Sequence, residues 1–275
     1  MTRRIALLGK PLRRRHSVVM HNAAFVASGI DARYVLMEID EEFVAAAVGD
    51  ARACNEWLGL GVTAPYKKLV ASLVDEVEHD AREIGAVNNV VREPDGRLIG
   101  FNTDAPGFRV GAELALGRPL TGANVVVAGA GGVARAIVYA CQAAGVAGVT
   151  VGNRTLPAAI GGVEAVGLDS PEFAGALASA DLAVNATTVG MINAGATMDV
   201  WQMRDDATVF DCVYVPAETP LLAAARERGL KFANGSEMLI AQAAIAFERW
   251  TGVSGMSDIM REAVEPLIAD PAAVA

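Results

Sequence analysis

The chain has 275 residues and a formal net charge of -9, with 53% of its residues apolar and only 20% charged. That balance excludes disorder and allows one large core or two ordinary ones. Aromatics at 5%, in no stacking pattern, and the acidic excess argue against a nucleic-acid partner.

No apolar run approaches the roughly 20 residues of a membrane-spanning helix, and the apolar segment in MTRRIALLGK is too short for a secretory signal. A soluble, cytoplasmic protein with no membrane partner is expected. Cys54, Cys141 and Cys212 are odd in number and lie in apolar or helical patterns, which reads as reduced core thiols. His16, His21 and His79 do not fall at metal-ligand spacing, so no metal is expected.

In chain order, RIALLG, ARYVLMEI and WLGLGVTA read as strands, and SVVMHNAAFVASG, EEFVAAAVGDARA and YKKLVASLVDEV as helices. Strands separated by helices predict a mostly parallel α/β sheet. VNNVVREPDGRLIGFNTD then reads as a hairpin turning at Pro94-Asp95-Gly96, an antiparallel edge on that sheet. A helix is expected over 106–117, and the loop RPLTGA after it marks a boundary.

Beyond the boundary a second alternating series has strands in NVVVA, GVTVGNRT, DLAVNATTV, ATVFDCVYV and LKFANG, followed by helices over 236–250 and 258–268. The tail after Asp270 is expected to be frayed. The fold class is therefore two α/β domains with a cleft between them. Residues 1–104, completed by 236–275, form the first, and 105–235 form a Rossmann-like dinucleotide-binding domain.

In VVVAGAGGVARA a strand runs into Gly129, Ala130, Gly131, Gly132 and Val133 and then into a helix. Glycines there allow a sharp turn and a close approach of backbone to a pyrophosphate at the helix N-terminus. The alternative is a plain tight turn, but a strand before and a helix after favour a dinucleotide. The next strand ends Asn153-Arg154-Thr155, with an arginine and no acid, which favours NADP, since a guanidinium can fork onto a phosphate. A solvated surface arginine is the bland alternative. No second basic residue follows, because Leu156, Pro157 and Ala158 come next, so NAD remains open.

VTAPYKK (62–68), GAVNN (85–89), FNTDAPGF (101–108) and FANGSEMLIAQAAIAFERWTG (232–252), with NRT, NATTVGM and VYVPAETPLL, together resemble the shikimate dehydrogenase family over nearly the whole chain. The resemblance implies reversible NADP(H)-dependent reduction of a 3-dehydroshikimate-like ketone, with Lys67 and Asp104 as the acid-base pair. It also implies substrate contacts from Ser17, Thr63, Asn88, Tyr214 and Gln242, and a nicotinamide pocket lined by Met191, Val213 and Met238. Thr187 and Gly235, in the matching NATTVGM and FANGSEM stretches, complete the cofactor set. Each residue has a plainer reading: Lys67 as a surface lysine, Asp104 and Ser17 as helix caps, Asn88 as a turn residue, and the methionines and valine as core.

The sequence departs from the family at several points. The first loop usually carries two serines that bind the substrate carboxylate; here the second is Ser17 and the first is Arg15, which changes both size and charge where the acid group is read. Glu237 replaces a glycine near the nicotinamide, and Asn89 stands where threonine is usual. Quinate or another cyclic hydroxy acid is therefore an alternative substrate. A non-catalytic dinucleotide sensor would have no need of Lys67 and Asp104. The working form is expected to be a monomer or homodimer. Arg13 and Arg14, beside Arg15, read as loop charges facing water.

Overall fold

The computed structural model describes residues 2–12, 15–156, 159–191, 193 and 195–269. Arg13, Arg14 and the tail after Asp270 lie outside the described residues. The chain divides into two compact units, Met1–Thr103 with Ile240–Ala275, and Asp104–Leu239.

In the first unit the elements run β1 (Arg3–Gly9), α1 (His16–Ser28), β2 (Ala32–Glu38), α2 (Glu41–Ala53), β3 (Trp57–Val62), α3 (Lys67–Ala71), β4 (Glu76–Val77), α4 (His79–Ile84), β5 (Asn89–Arg92) and β6 (Leu98–Phe101). Its strands lie in the order β2-β1-β3-β5-β6-β4. β3 is buried along its whole length, as expected of a strand covered on both faces. Gly59 is required on it, because a Cβ there would sit 2.6 Å from the Trp250 indole nitrogen and 2.1 Å from the Val90 carbonyl. Leu8, Leu60, Val62, Val90 and Leu98 form the core beneath the strand ends that matter below. Burying each such side chain is worth about 1.5–3 kcal/mol.

Two expectations are corrected here. The stretch 66–77, read as one helix, stops at Ala71 and ends in the short strand β4. The cause is tertiary: the Asp75 N–H donates to the Leu98 carbonyl at 2.9 Å, and its Oδ2 accepts from the Leu98 N–H at 2.8 Å and from Arg52 at 3.2 Å. Edge pairing thus overrides local helix propensity. The hairpin β5–β6 forms as expected, with Gly96 at φ 93° in its turn. It is not the sheet edge, however, because β4 adds in parallel outside β6.

The second unit opens with α5 (Asp104–Leu116), two residues earlier than expected, so that Asp104 begins the helix and Pro106 sits in its first turn, where a missing N–H costs nothing. There follow β7 (Asn124–Ala128), α6 (Gly132–Ala143), β8 (Gly148–Asn153), β9 (Ala165–Gly167), α7 (Pro171–Ser179), β10 (Leu182–Asn185), β11 (Thr208–Asp211), α8 (Pro220–Arg228) and β12 (Lys231–Asn234). Every pairing between these strands is parallel, in the order β12-β11-β10-β7-β8-β9. Read along the chain this is 3-2-1-4-5-6, the doubly wound dinucleotide-binding order, with its switch point between β7 and β10. α9 (Ser236–Thr251) and α10 (Ser257–Ala269) close the chain. None of the described helices is long and apolar enough to cross a membrane.

Candidate active site

Register brings the first unit's candidate residues to one end of the sheet. β1 and β3 run parallel, so Gly9 and Val62 end together, and the Thr63 N–H donates to the Leu8 carbonyl at 2.8 Å. β5 runs antiparallel to β3 and to β6, pairing its first residue, Asn89, with Gly61 on one side and Phe101 on the other. Residues 10–12, 63–66, 86–88 and 102–103 therefore emerge at the same end of the sheet.

A buried polar cluster joins two of those segments. The Asn88 N–H donates to the Phe101 carbonyl at 3.2 Å, and the Asn102 amide donates to the Ala86 carbonyl at 2.9 Å. The Thr103 N–H donates to Asn88 Oδ1 at 2.9 Å, while Asn88 Nδ2 and Asn89 Nδ2 reach Thr103 Oγ1 at 3.2 and 3.0 Å. Thr103 is not among the site residues read from the sequence, and Asn89 appears there only as a departure from the family. The signal available was polarity itself, since the asparagines of VNNVV and the threonine of FNTD interrupt apolar strands and must be paired once buried.

Lys67 is the first residue of α3 and half-buried, whereas its neighbour Lys68 is exposed. Tyr66 holds this corner, its hydroxyl donating to the Ile39 carbonyl at 2.6 Å. Ser17 lies inside the first turn of α1 and is not its cap; the cap position is Arg15, which is exposed and makes no side-chain capping bond. With no acidic residue in its first turn, α1 presents the positive end of its dipole beside Arg15 and Ser17. After β1, Lys10 pairs with Asp40 and the Leu12 N–H donates to Glu38 at 2.5 Å. Thr63 and Gln242 are half-buried.

In the second unit Asp104 is 4% exposed. Burial, then the Asp211 charge, then that of Asp104 push the half-buried Cys212 thiol well above its ordinary range. Gly129 follows β7 at the switch point with φ 118°, and a Cβ there would meet Thr187 Cγ2 at 3.0 Å and the Ala186 carbonyl at 3.1 Å. Gly131 caps α6 without a side-chain bond, and a Cβ on Gly131 or Gly132 would meet nothing within 4 Å. The helix start is thus bare backbone with open space before it, which fits a dinucleotide pyrophosphate. Val133 follows in the first turn of α6, and Ala130 lies between the glycines.

At the end of β8 the Asn153 amide donates to the Thr155 carbonyl at 2.6 Å, a closed turn that leaves Arg154 exposed. Among the described residues no carboxylate pairs with Arg154, which suits a phosphate ligand. Pro157 and Ala158 lie outside the described residues. Val213 and Met238 are buried, Tyr214 is half-buried and Met191 is 36% exposed, so Met191 is not a core residue. Gly235 is forced by close packing, a Cβ there falling 2.3 Å from the Cys212 carbonyl oxygen. Glu237 lies in the first turn of α9, where the helix dipole favours an acid.

A second buried cluster sits below these loops. Asp211 accepts from Asn185 Nδ2 and the Val213 N–H, both at 2.9 Å, and from Thr219 Oγ1 at 2.6 Å. Asn185 Oδ1 in turn accepts from the Thr187 N–H and hydroxyl at 3.1 and 2.7 Å. Side chains therefore help fix the turns that carry Thr187 and Val213, beside backbone bonds such as that from the Gly235 N–H to the Val213 carbonyl at 3.2 Å.

Comparison with known proteins gives the same picture along the chain. Residues 7–90 match the family model of the shikimate dehydrogenase substrate binding domain, and residues 235–265 that of the shikimate 5'-dehydrogenase C-terminal domain. The shikimate dehydrogenase (NADP(+)) of Carboxydothermus hydrogenoformans is 38% identical over 275 residues, covering 96% of each chain. Shikimate 5-dehydrogenase from Thermus thermophilus, solved in complex with NADP(H) and shikimate, is 35% identical with a TM-score of 0.85, over 96% of this chain and 99% of that one. Quinate dehydrogenase from Corynebacterium glutamicum, solved in complex with NAD, is 33% identical with a TM-score of 0.87, over 97% and 99%.

Proposed function

Because the chain belongs to the shikimate dehydrogenase family, we propose that it catalyses reversible NADP(H)-dependent reduction of a 3-dehydroshikimate-like ketone to its cyclic alcohol. The supporting observation is similarity over 96% of the chain to NADP-dependent shikimate dehydrogenase, joined to a doubly wound sheet with a bare glycine loop at its switch point.

NADP(H) supplies or takes up the hydride. As hydride reaches the carbonyl carbon, negative charge builds on the oxygen, and the Lys67 ammonium gives its Nζ proton to it. In the oxidation direction the neutral amine takes the hydroxyl proton instead. Asp104 is the second member of that acid-base pair. Asn88 holds a ring hydroxyl, with Thr63, Tyr214 and Gln242 as further polar contacts. The substrate carboxylate lies at the N-terminal end of α1, held by Ser17 and the Arg15 guanidinium.

Gly129–Val133 would hold the cofactor pyrophosphate, Arg154 with Asn153 and Thr155 would hold its 2′-phosphate, and Thr187, Met191, Val213, Gly235 and Met238 would line the place of its nicotinamide. The same reading carries a cytoplasmic monomer or homodimer as the working form.

An initial-rate screen of shikimate and quinate, each with NADP⁺ and NAD⁺, tests the reading. Shikimate with NADP⁺ is expected to be turned over best, and Lys67→Ala to lower kcat by roughly 100-fold or more. Faster turnover of quinate with NAD⁺ would move the assignment to the quinate branch, which Arg15 and the lack of a second basic residue after Arg154 leave open. No cofactor reduction with any pair would overturn both.

A further inference from the structure

Asn89, which opens β5 where the family resemblance has threonine, lies beside the proposed substrate-binding amide. Hydrogen-bond logic assigns the orientation of both amides. The Thr103 peptide N–H, 2.9 Å from the Asn88 side chain, can only donate, so the atom facing it is Asn88 Oδ1. The Asn89 side chain approaches that same oxygen at 2.8 Å and must therefore present its nitrogen. The second proton on that nitrogen goes to Thr103 Oγ1 at 3.0 Å.

The consequence falls on Asn88. Both acceptor positions of its oxygen are filled, by Asn89 and by the Thr103 backbone. Its own Nδ2 spends one proton on Thr103 Oγ1 at 3.2 Å and has one N–H left. We propose that Asn89 is a positioning residue that locks Asn88 as a hydrogen-bond donor, so that the substrate group held there must offer an acceptor oxygen. This rests on the dehydrogenase reading above. A threonine at 89 has a single hydroxyl proton and could serve Asn88 or Thr103, but not both.

The test is steady-state kinetics of the full-length protein and of Asn89→Thr and Asn89→Asp, with shikimate and NADP⁺ varied separately. In Asn89→Asp a carboxylate oxygen replaces the donor facing Asn88 Oδ1, and KM for shikimate is expected to rise at least tenfold while KM for NADP⁺ stays within twofold. Lowering the pH should narrow that gap to the parent, because a protonated carboxyl regains one donor. Asn89→Thr, with one donor of two, should raise the shikimate KM about threefold, and it decides the matter if Asn89→Asp does not fold.

An unchanged shikimate KM in the folded variants of an active parent would overturn the positioning role while leaving the function intact. Equal rises in both KM values would overturn it too, as the mark of general structural damage. A parent that turns over neither shikimate nor quinate would remove the function and this inference together.

Discussion

Asn185 and Asp211 meet at the ends of β10 and β11, the amide donating to the carboxylate at 2.9 Å with both residues almost wholly buried. Among the described residues no cation accompanies Asp211, and burial raises its pKa despite the bonds from Thr219, Val213 and Asn185. The folded carboxyl therefore holds its proton more tightly than the unfolded one does. This contribution to stability is complete below the unfolded pKa and is lost as pH rises through the folded one. Asp211→Asn can keep the geometry, its oxygen accepting from Asn185 and Val213 and its nitrogen donating to Thr219. It should gain on the parent in urea-denaturation stability as pH rises from about 4 to 7. Asp211→Ala strands three donors and should cost about 3 kcal/mol at neutral pH; parent-like stability there would sink the network.

The two ends of the glycine loop make opposite demands. Gly129 combines φ 118° with contacts that a Cβ would crowd, so Gly129→Ala should destabilise the protein itself by about 1–3 kcal/mol. Gly131 has an ordinary φ of −78° and open space for a Cβ. Gly131→Ala should melt within about a degree of the parent, because a surface substitution without strain changes little, yet its methyl would stand where a pyrophosphate approaches. A rise of at least tenfold in KM for NADP⁺ with unchanged thermal stability is expected. Parent-like cofactor binding would take the pyrophosphate away from this loop.

The split between what could and could not be read follows the range of the interactions. The parallel strands, the hairpin and the glycine loop are local patterns, and they were legible. Asp75 was not, because its role is set by Leu98 and Arg52, each more than twenty residues away in sequence. The helices α7 and α8 carry a local start signal as well, Ser170 and Thr219 each followed by proline and each capping its helix through a side-chain bond. At the site, Asn88 stood out through family resemblance and Asn89 as a departure from it, while Thr103 emerges only from its hydrogen bonds to both asparagines just past the end of β6.

Arg154 is exposed and, among the described residues, unpaired with any carboxylate, so its charge is available to a phosphate. A charge-assisted hydrogen bond contributes about 1.5–3 kcal/mol. Arg154→Gln should accordingly raise KM for NADP⁺ at least tenfold and leave KM for NAD⁺ within twofold. If both cofactors shift together, Arg154 does not read the 2′-phosphate.

Arg15 occupies the cap position of α1 without making a capping bond, so its removal costs the helix little. Arg15→Ser restores the hydroxyl that the family usually has and should raise KM for the acid about tenfold while keeping kcat, the mark of binding shared by ground and transition states. An unchanged KM for every acid turned over would take Arg15 out of the carboxylate site.

His21 carries the last prediction. Its ring stacks on Tyr34 at 4.4 Å between centroids and meets Trp250 edge-on at 5.2 Å, and its Nδ1 is buried with no hydrogen-bond partner among the described residues. Burial alone lowers its pKa to about 3. The folded protein keeps this ring neutral, whereas the unfolded chain protonates it below the ordinary value of 6.5. The unfolded state then binds the extra proton, so stability is full above that value and falls as pH drops toward the folded pKa, by up to ~1.4 kcal/mol per pH unit. In His21→Gln, which cannot titrate, urea-denaturation stability between about pH 6 and 4 should decline less steeply than in the parent, by close to one proton's worth. Identical slopes would mean that the ring is hydrated or paired, and not held neutral inside this aromatic cluster.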